Sequence, residues 1–130
     1  MGKKYLIDTN LISKALRNLF PNPGLSFVEN QFNSRLQISV ITRIELLGWK
    51  PDDPGFEADL RLLVDQAIEY PLTDEIVDQT IALRKSVKIR LPDAIIAATA
   101  LVHKLTLVSD NDVDFLRVPK LKYINPARIR

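Results

Sequence analysis

Several residue types that many proteins use for stability or catalysis are missing or scarce in this chain. There is no cysteine, which excludes disulfide scaffolds, thiolate zinc fingers and thiol chemistry. One histidine, His103, leaves too few imidazoles for most histidine metal sites. We interpret His103 as a residue at the C-terminal end of a predicted helix, where the helix dipole favours it, rather than as a catalyst.

Long hydrophobic runs and strong charge are also absent from the sequence. No stretch approaches the ~18 apolar residues of a membrane helix, and Asp8 follows only three apolar residues, unlike a signal peptide. We therefore expect a cytoplasmic protein without membrane contact. The net charge of +2 is too small to indicate a nucleic-acid partner by itself. With 130 residues, 46% of them hydrophobic, the chain is expected to form one domain over residues 1–130.

Short aliphatic runs alternate along the chain with longer segments whose apolar residues are spaced by three and four. The runs at 4–7, 36–40, 68–72 and 105–109 are typical of strands, and the segments between them of amphipathic helices. Buried parallel strands have this composition. The alternation predicts an α/β fold, a three-layer α/β/α sandwich around a mostly parallel central sheet.

Proline and glycine mark where the predicted helices stop. Residues 21–24 separate a first helix at about 9–20 from a second at about 25–34. Residues 48–55 form the longest loop-like stretch and follow a short helix that begins near Thr42. No repeat or linker interrupts this order, which again favours a single domain.

Three carboxylates interrupt the most apolar parts of the sequence. Asp8 directly follows the first predicted strand, Glu45 lies within residues 41–47, and Asp93 lies within residues 91–98. Burying an ionised carboxylate costs several kcal/mol unless it is paired, hydrogen-bonded or bound to a cation. The three acids are therefore predicted to share a site.

Each of these acids also has a simpler explanation. Asp8 and Asp93 both stand at the start of a predicted helix, where an aspartate is a common N-cap. Glu45 falls inside a helix and fits capping badly, but it could pair with a base such as Arg43. Capping and catalysis are compatible at a strand end, so we favour the shared site.

The predicted topology brings the acids to one edge of the sheet. In an open parallel sheet, functional groups collect in the crevice outside the carboxyl ends of the strands. A fourth acidic group, residues 109–115, follows the last long predicted strand. Carboxylates this close raise one another's pKa unless a cation neutralises them. Oxygen ligands suit Mg²⁺ or Mn²⁺, and such a site acts most naturally on phosphate esters.

Four motifs in this order resemble those of PIN-domain proteins. They are residues 8–10 (DTN), 39–48 (SVITRIELLG), 91–100 (LPDAIIAATA) and 107–115 (LVSDNDVDF). In its length and in the residues of these motifs, the chain is most similar to the VapC-type toxin ribonucleases of VapBC toxin–antitoxin pairs. The resemblance implies a PIN-like fold, a metal-dependent endoribonuclease activity on single-stranded RNA, a homodimer and a cognate antitoxin protein.

The resemblance also assigns roles to individual polar residues. The catalytic and metal-binding acids it implies are Asp8, Glu45, Asp93 and Asp112, with Asp114 as a further metal ligand and Mg²⁺ (or Mn²⁺) as cofactor. The supporting polar residues it implies are Asn10, Ser109 and Asn111. Asn111 stands where many members carry the fourth acid, so either Asp112 or Asp114 takes its place or a second metal binds weakly.

Two basic clusters are candidates for phosphate contacts. Beyond Asp114 the chain has no further acid but several bases, and a second cluster precedes Asp93. The residues of that second cluster, which we expect to contact RNA phosphates, are Arg84, Lys85, Lys88 and Arg90. The alternative is a solvated basic surface. The RNA itself, single-stranded or structured, is not specified by any stacking motif in the sequence.

Three classes of function remain open from the sequence. The leading hypothesis is a Mg²⁺-dependent ribonuclease that serves as a toxin. The alternative is a catalytically weak PIN-fold module that binds nucleic acid or protein without cleavage. A phospho-acceptor domain also places an aspartate at a strand end, but it needs an adjacent acidic pair that Asp8 lacks.

Overall fold

The computed structural model describes residues 4–17 and 23–129, which form short parallel strands connected by helices. The strands are β1 (Tyr5–Ile7), β2 (Gln37–Ser39), β3 (Ile68–Tyr70), β4 (Thr106–Val108) and β5 (Tyr123–Ile124). The helices are α1 (Thr9–Leu16), α2 (Gly24–Asn33), α3 (Val40–Gly48), α4 (Pro54–Asp65), α5 (Asp74–Ser86), α6 (Leu91–His103) and α7 (Asp112–Phe115). A short 3₁₀ helix, Pro126–Arg128, follows β5.

All of the strand pairings found are parallel, as the alternation of strands and helices predicts. β4 lies between β1 and β5, and β2 pairs with β3. β1 also lies beside β2, which brings the two groups of strands together. Ile7 is in register with Val108, so the residues that follow these two strands leave the sheet side by side. The predicted α/β fold with a parallel central sheet is confirmed.

Alternation along β1 and β4 divides the core into two halves, one on each face of the sheet. Leu6 and Leu107 point to the half that is built mainly with α5 and α6, whose buried members include Ile76, Leu83 and Ile96. Ile7 and Val108 point to the other half, which is built with helices α1 to α4 and includes Leu11, Val28, Leu46 and Leu60. This alternation produces the expected helix–sheet–helix layers.

Helix caps fix where the chain turns out of the strands. Asp8 caps α1, accepting from the backbone N–H of Thr9, and Ser39 caps α3, accepting from the backbone N–H of Ile41. Each cap follows its strand immediately or forms its last residue. The chain therefore changes from strand to helix without a loop, and this keeps polar side chains at the strand ends.

The structure shortens and shifts some of the predicted elements. The strand predicted at 36–40 ends at Ser39, because α3 begins at the next residue. Part of the loop predicted at 48–55 is helical, since α4 begins at Pro54 with Asp53 as its cap. β5 was not predicted. The end of the predicted first helix lies partly outside the described residues, which omit 18–22.

The start of α2 packs directly on the C-terminal 3₁₀ helix. Gly24 is buried there, and a Cβ at this position would collide with the backbone carbonyl of Pro126. Glycine is required because the two backbones approach without room for a side chain. This contact fixes the C-terminal segment to the helical layer that contains α1 and α2.

The lengths of the helices can be compared with the length that a helix needs to cross a membrane. Among the described residues the longest helices, α5 and α6, have 13 residues each. A bilayer-spanning helix needs about 20 residues. No helix in ranges 4–17 and 23–129 is long and apolar enough to cross a membrane.

Candidate active site

Asp8 lies at the carboxyl end of β1 and is almost completely buried, with 4% of its surface exposed. Its Oδ1 accepts from the Thr9 backbone N–H at 2.8 Å, and its Oδ2 accepts from the Ser109 hydroxyl at 2.7 Å. Burial raises the pKa of Asp8 to about 6 against the lowering effect of these hydrogen bonds, and the charges of Glu45 and Asp110 raise it further. The fold thus holds Asp8 in place but disfavours its ionised form.

Glu45, on α3, is connected to the first turn of α1 through Thr9. The Thr9 hydroxyl donates to Glu45 Oε1 at 2.7 Å, and Thr42 Oγ1 lies 3.1 Å from the same hydroxyl. No sequence pattern predicts a role for Thr9 or Thr42. The alternative partner for Glu45 was Arg43, but Arg43 forms its ion pair with Glu69.

Asp93 is the third residue of α6 rather than its cap, which is Arg90. Its Oδ2 accepts from Arg90 Nη2 at 2.9 Å and Nε at 3.2 Å. Asn111 Nδ2 lies 3.3 Å from this oxygen and 3.3 Å from Asp114 Oδ2, so the Asn111 amide bridges the two carboxylates. Arg90 Nε is also 3.6 Å from Asp114 Oδ2.

These two carboxylates titrate as a pair. Burial raises the pKa of Asp93 to about 7, the hydrogen bond to Asp114 and the charge of Asp8 raise it, and Arg90 lowers it. The pKa of Asp114 is lowered, mainly by the hydrogen bond from Asp93. The contact between the two carboxyl groups thus favours the neutral form of Asp93 and the ionised form of Asp114. The charge of Asp8 raises the pKa of Asp93, so these two acids lie within electrostatic range of each other.

Asp112 points away from this pair, toward the C-terminal segment. Its contacts are the Tyr123 hydroxyl at 2.6 Å from Oδ1, Asn125 Nδ2 at 3.2 Å from Oδ1, and an ion pair with Arg128. The assignment of Asp112 as a ligand stays a prediction. Of the two candidates for the fourth acid, Asp114 is the one that the structure brings to Asp93.

Of the other polar residues predicted for the site, one is buried in it and another is exposed at its edge. Ser109 is fully buried and contacts Asp8, whereas Asn10 is exposed in the first turn of α1. Asp110 is not among the predicted site residues, although it directly follows Ser109 in the acidic segment. It pairs with Lys14 of α1, and its charge contributes to the raised pKa of Asp8.

Most of the predicted phosphate-binding bases lie together. Arg84, Lys88 and Arg90 line one cavity, together with Asp114 and a further base, Arg117. Lys85, on α5, is exposed and is not among the residues that line this cavity. Arg90 also contacts Asp93, which no sequence pattern predicts.

The donor set fits a hard divalent cation in its chemistry. It consists of carboxylate oxygens, two of them on buried residues whose pKa is raised by desolvation, and an ion such as Mg²⁺ or Mn²⁺ would offset that cost. Within ranges 4–17 and 23–129 no three acidic or histidine side chains converge closely enough to coordinate an ion as they stand. The acids form two adjoining groups, Asp8 with Glu45 and Asp93 with Asp114.

The structure has a parallel sheet between helices and acids at the strand ends. Comparison of the sequence with known protein families identifies the class of protein that has this arrangement. The sequence matches the PIN domain family over residues 5–121. The chain therefore belongs to the PIN domain family, and the resemblance seen in the four motifs is confirmed. A comparison with curated proteins gives no match.

The solved structures with this fold include several toxin–antitoxin complexes. A complex from Klebsiella pneumoniae matches with a TM-score of 0.76 and 26% identity, covering 97% of this chain and 100% of that one. DNA-bound VapBC from Salmonella typhimurium matches with a TM-score of 0.78 and 22% identity, covering 96% and 99%. VapBC2 from Rickettsia felis, bound to a fragment of its promoter DNA, has a TM-score of 0.76 and 22% identity, covering 93% and 97%.

Proposed function

We propose that this protein is a metal-dependent endoribonuclease that cleaves single-stranded RNA and acts as the toxin of a toxin–antitoxin pair. The observation that carries the proposal is the buried Asp8 at the end of β1, beside Glu45 and within electrostatic range of Asp93. Buried carboxylates with raised pKa values in a cleft indicate a functional site. PIN-family membership and the likeness to toxin–antitoxin structures support the toxin role.

The residues that would hold Mg²⁺ or Mn²⁺ are Asp8, Glu45, Asp93 and Asp114. The chemistry that such an ion supplies is activation of water and stabilisation of charge on the phosphoryl oxygens. The Ser109 hydroxyl and the Thr9 amide keep the Asp8 carboxylate in one orientation. We place Asp114 in the role of the fourth acid, because Asn111 holds it against Asp93.

The polar residues around these acids have positioning roles. Asn111 fills the place of an acid in related motifs, but its amide donates to two carboxylates and holds them close. The Thr9 hydroxyl orients Glu45 from the first turn of α1. Both side chains set the spacing of carboxylates, so their loss would lower activity through geometry and not through lost charge.

The test is a cleavage assay with a matched control. Purified protein is incubated with single-stranded RNA in Mg²⁺, in Mn²⁺ and in EDTA, alongside Asp93→Asn and Asp59→Asn. Asp59 is an exposed acid on α4, so its substitution makes the same chemical change outside the site. We expect metal-dependent cleavage by the wild type and by Asp59→Asn, and none by Asp93→Asn. Equal cleavage by Asp93→Asn would overturn the proposed mechanism.

A PIN-fold binding module that does not cleave RNA is the second candidate. It is favoured by the Arg90 guanidinium, which contacts Asp93 and lies near Asp114, and by Asn111 in place of an acid. This candidate predicts RNA binding without cleavage in any metal. The cleavage assay above, combined with a binding measurement on the same RNA, separates the two functions.

An antitoxin partner is proposed from the similar structures. The relatives named above are complexes of toxin and antitoxin, two of them bound to DNA. We propose that a cognate antitoxin binds this chain and blocks its activity. Co-expression with the protein encoded beside it, followed by purification through a tag on one partner, tests this. Absence of a complex, with free toxin tolerated by the host, would contradict it.

A homodimer is also proposed, with its contact on the apolar face of α5 and the start of α6. A cavity there is lined by Leu72, Val77, Thr80, Ile81, Leu91 and Ile95. Leu72 and Ile81 are each 49% exposed, which is costly for large aliphatic side chains that lie together. We expect a dimer by light scattering and a monomer for Ile81→Glu. A wild-type monomer would contradict the proposal.

A further inference from the structure

A basic cavity of about 400 Å³ adjoins the acidic residues. Its lining residues are Arg84, Lys88, Ile89, Arg90, Asp114 and Arg117. It therefore contains four cations and one carboxylate. Its volume lies within the range of about 300–1,000 Å³ that is usual for sites holding small ligands. The single carboxylate offsets only part of this positive charge, and an anion bound in the cavity would offset more of it.

Two of the arginines are held in place without losing their charge. Arg84 Nη1 donates to the backbone carbonyl of Ile89 at 2.7 Å, and Arg117 Nη1 donates to that of Lys88 at 3.2 Å. A carbonyl is a neutral acceptor, so these hydrogen bonds fix the guanidinium groups and leave their positive charge available to an anion. The segment between α5 and α6 thus anchors an arginine from each side.

The cavity is continuous with the candidate active site. Asp114 belongs to both, and Arg90 reaches from the cavity to Asp93 at 2.9 Å. A ligand in the cavity would therefore lie directly beside the acids. A chain of phosphates suits this arrangement, because one phosphate can occupy the cavity while its neighbour meets the acids.

We propose that this cavity is the subsite for a backbone phosphate of the RNA strand, next to the phosphate that is cleaved. The inference rests on the proposed function and adds the direction of approach: the strand enters along the loop between α5 and α6. Arg117 and Lys88 bind the phosphate, and Arg84 completes the wall. Guanidinium groups suit this role because their planar N–H donors match phosphate oxygens.

Salt-dependent binding of an uncleavable strand tests the subsite. The probe is a fluorescent single-stranded RNA of 12 nucleotides with 2′-O-methyl groups, titrated in EDTA at several salt concentrations. Each lost phosphate contact lowers the slope of log Kd against log salt by about 0.7 for a single strand. We expect this loss for Arg117→Gln and for Lys88→Gln, with binding weaker by about three- to tenfold at low salt. Arg117→Lys, which keeps the charge, should restore most of the slope.

Arg35→Gln is the matched control. Arg35 is also exposed and also donates to a backbone carbonyl, that of Gln66 at 3.5 Å. It precedes β2, at the edge of the sheet opposite the strand ends that carry the acids. We expect this variant to keep the wild-type slope. A loss equal to that of Arg117→Gln would mean that general surface charge explains binding, and would overturn the subsite.

The outcomes separate this inference from the nuclease proposal. Wild-type slopes for Arg117→Gln and Lys88→Gln would overturn the subsite, while Mn²⁺-dependent cleavage by the wild type would leave the nuclease intact. Failure of the wild type to bind the probe overturns the subsite. If cleavage is then also absent, the proposed function fails with it. A slope lost in both cavity variants and kept in Arg35→Gln supports the subsite.

Discussion

Replacing Asp8 by asparagine should have opposite effects on activity and on stability. The substitution keeps the shape of the side chain and removes a buried charge. The amide oxygen can accept from the Thr9 N–H as Oδ1 does, at 2.8 Å. The amide group can donate to Ser109 Oγ, which lies 2.7 Å from Oδ2 and, as a hydroxyl, can accept as well as donate. Both contacts are therefore kept, but the hydroxyl proton of the buried Ser109 loses its carboxylate acceptor, which reduces the gain in stability.

The size of the stability effect follows from the pKa. Burial, the largest cause, raises the pKa of Asp8 from 3.8 to about 6. A group whose pKa is raised in the folded state binds more protons there than in the unfolded chain, so stability falls as pH rises from about 4 to above 6. Two pKa units correspond to about 3 kcal/mol. At pH 8 without metal, Asp8→Asn should therefore be more stable than the wild type by up to about 3 kcal/mol.

Thermal unfolding in EDTA measures this difference. At pH 8 we expect the Tm of Asp8→Asn to exceed that of the wild type by about 3 °C or more per kcal/mol, and at pH 4 to approach it. RNA cleavage in Mn²⁺ should be abolished in the same variant. Asp59→Asn, on the exposed face of α4, should change neither property. If Asp8→Asn were less stable at pH 8, or if the difference did not change with pH, the reasoning from a desolvated carboxylate would be refuted.

Four further substitutions test separate parts of the structure. Asp114→Asn should lower metal-dependent cleavage by at least about tenfold, because even the loss of a residue that only supports a metal ligand costs about 10- to 100-fold. Asp112→Asn should keep most activity and lower the Tm, because its carboxylate holds the C-terminal segment. The reverse order in a cleavage assay would assign the fourth ligand to Asp112. Arg90→Gln should bind Mn²⁺ about two- to fivefold more tightly in calorimetry, since it removes a cation from Asp93; weaker binding would show that the guanidinium organises the acids. Gly24→Ala should lower stability by about 1–3 kcal/mol in urea unfolding, because the new Cβ collides with the backbone of Pro126; an unchanged midpoint would contradict the close approach.

Much of the fold follows from short-range patterns in the sequence. The aliphatic runs that end at Asp8 and Ser109 predict β1 and β4, and their parallel pairing follows from the helices between them. β5 has two residues and depends on β4 for its pairing, so no local pattern distinguishes it from a loop. The start of α4 was also missed, because Pro54 and Gly55 are typical loop residues when the cap before them is not considered.

The sequence predicts which segments supply the acids of the site, but not which acidic side chains point into it. Asp8 and Asp93 were found because each interrupts apolar sequence, and burial is what raises the pKa of both. The choice between Asp112 and Asp114 depends on the orientation of α7, a helix of four residues. Its cap, Asn111, is three residues before Asp114, and positions three apart share a helix face. A helix so short carries no periodicity from which the sequence could show this.

Arg90 connects the basic cavity to the candidate acids. Asp93 stands between two groups of opposite effect: the charge of Asp8 raises its pKa, and the guanidinium of Arg90 lowers it. The same guanidinium lines the cavity that Arg117 and Lys88 make basic. A phosphate bound there would compete with Asp93 for Arg90 and draw the guanidinium away from the carboxylate. The bases beside the site would then have two roles. They would attract the RNA strand, and the binding of that strand would free the Asp93 carboxylate from Arg90.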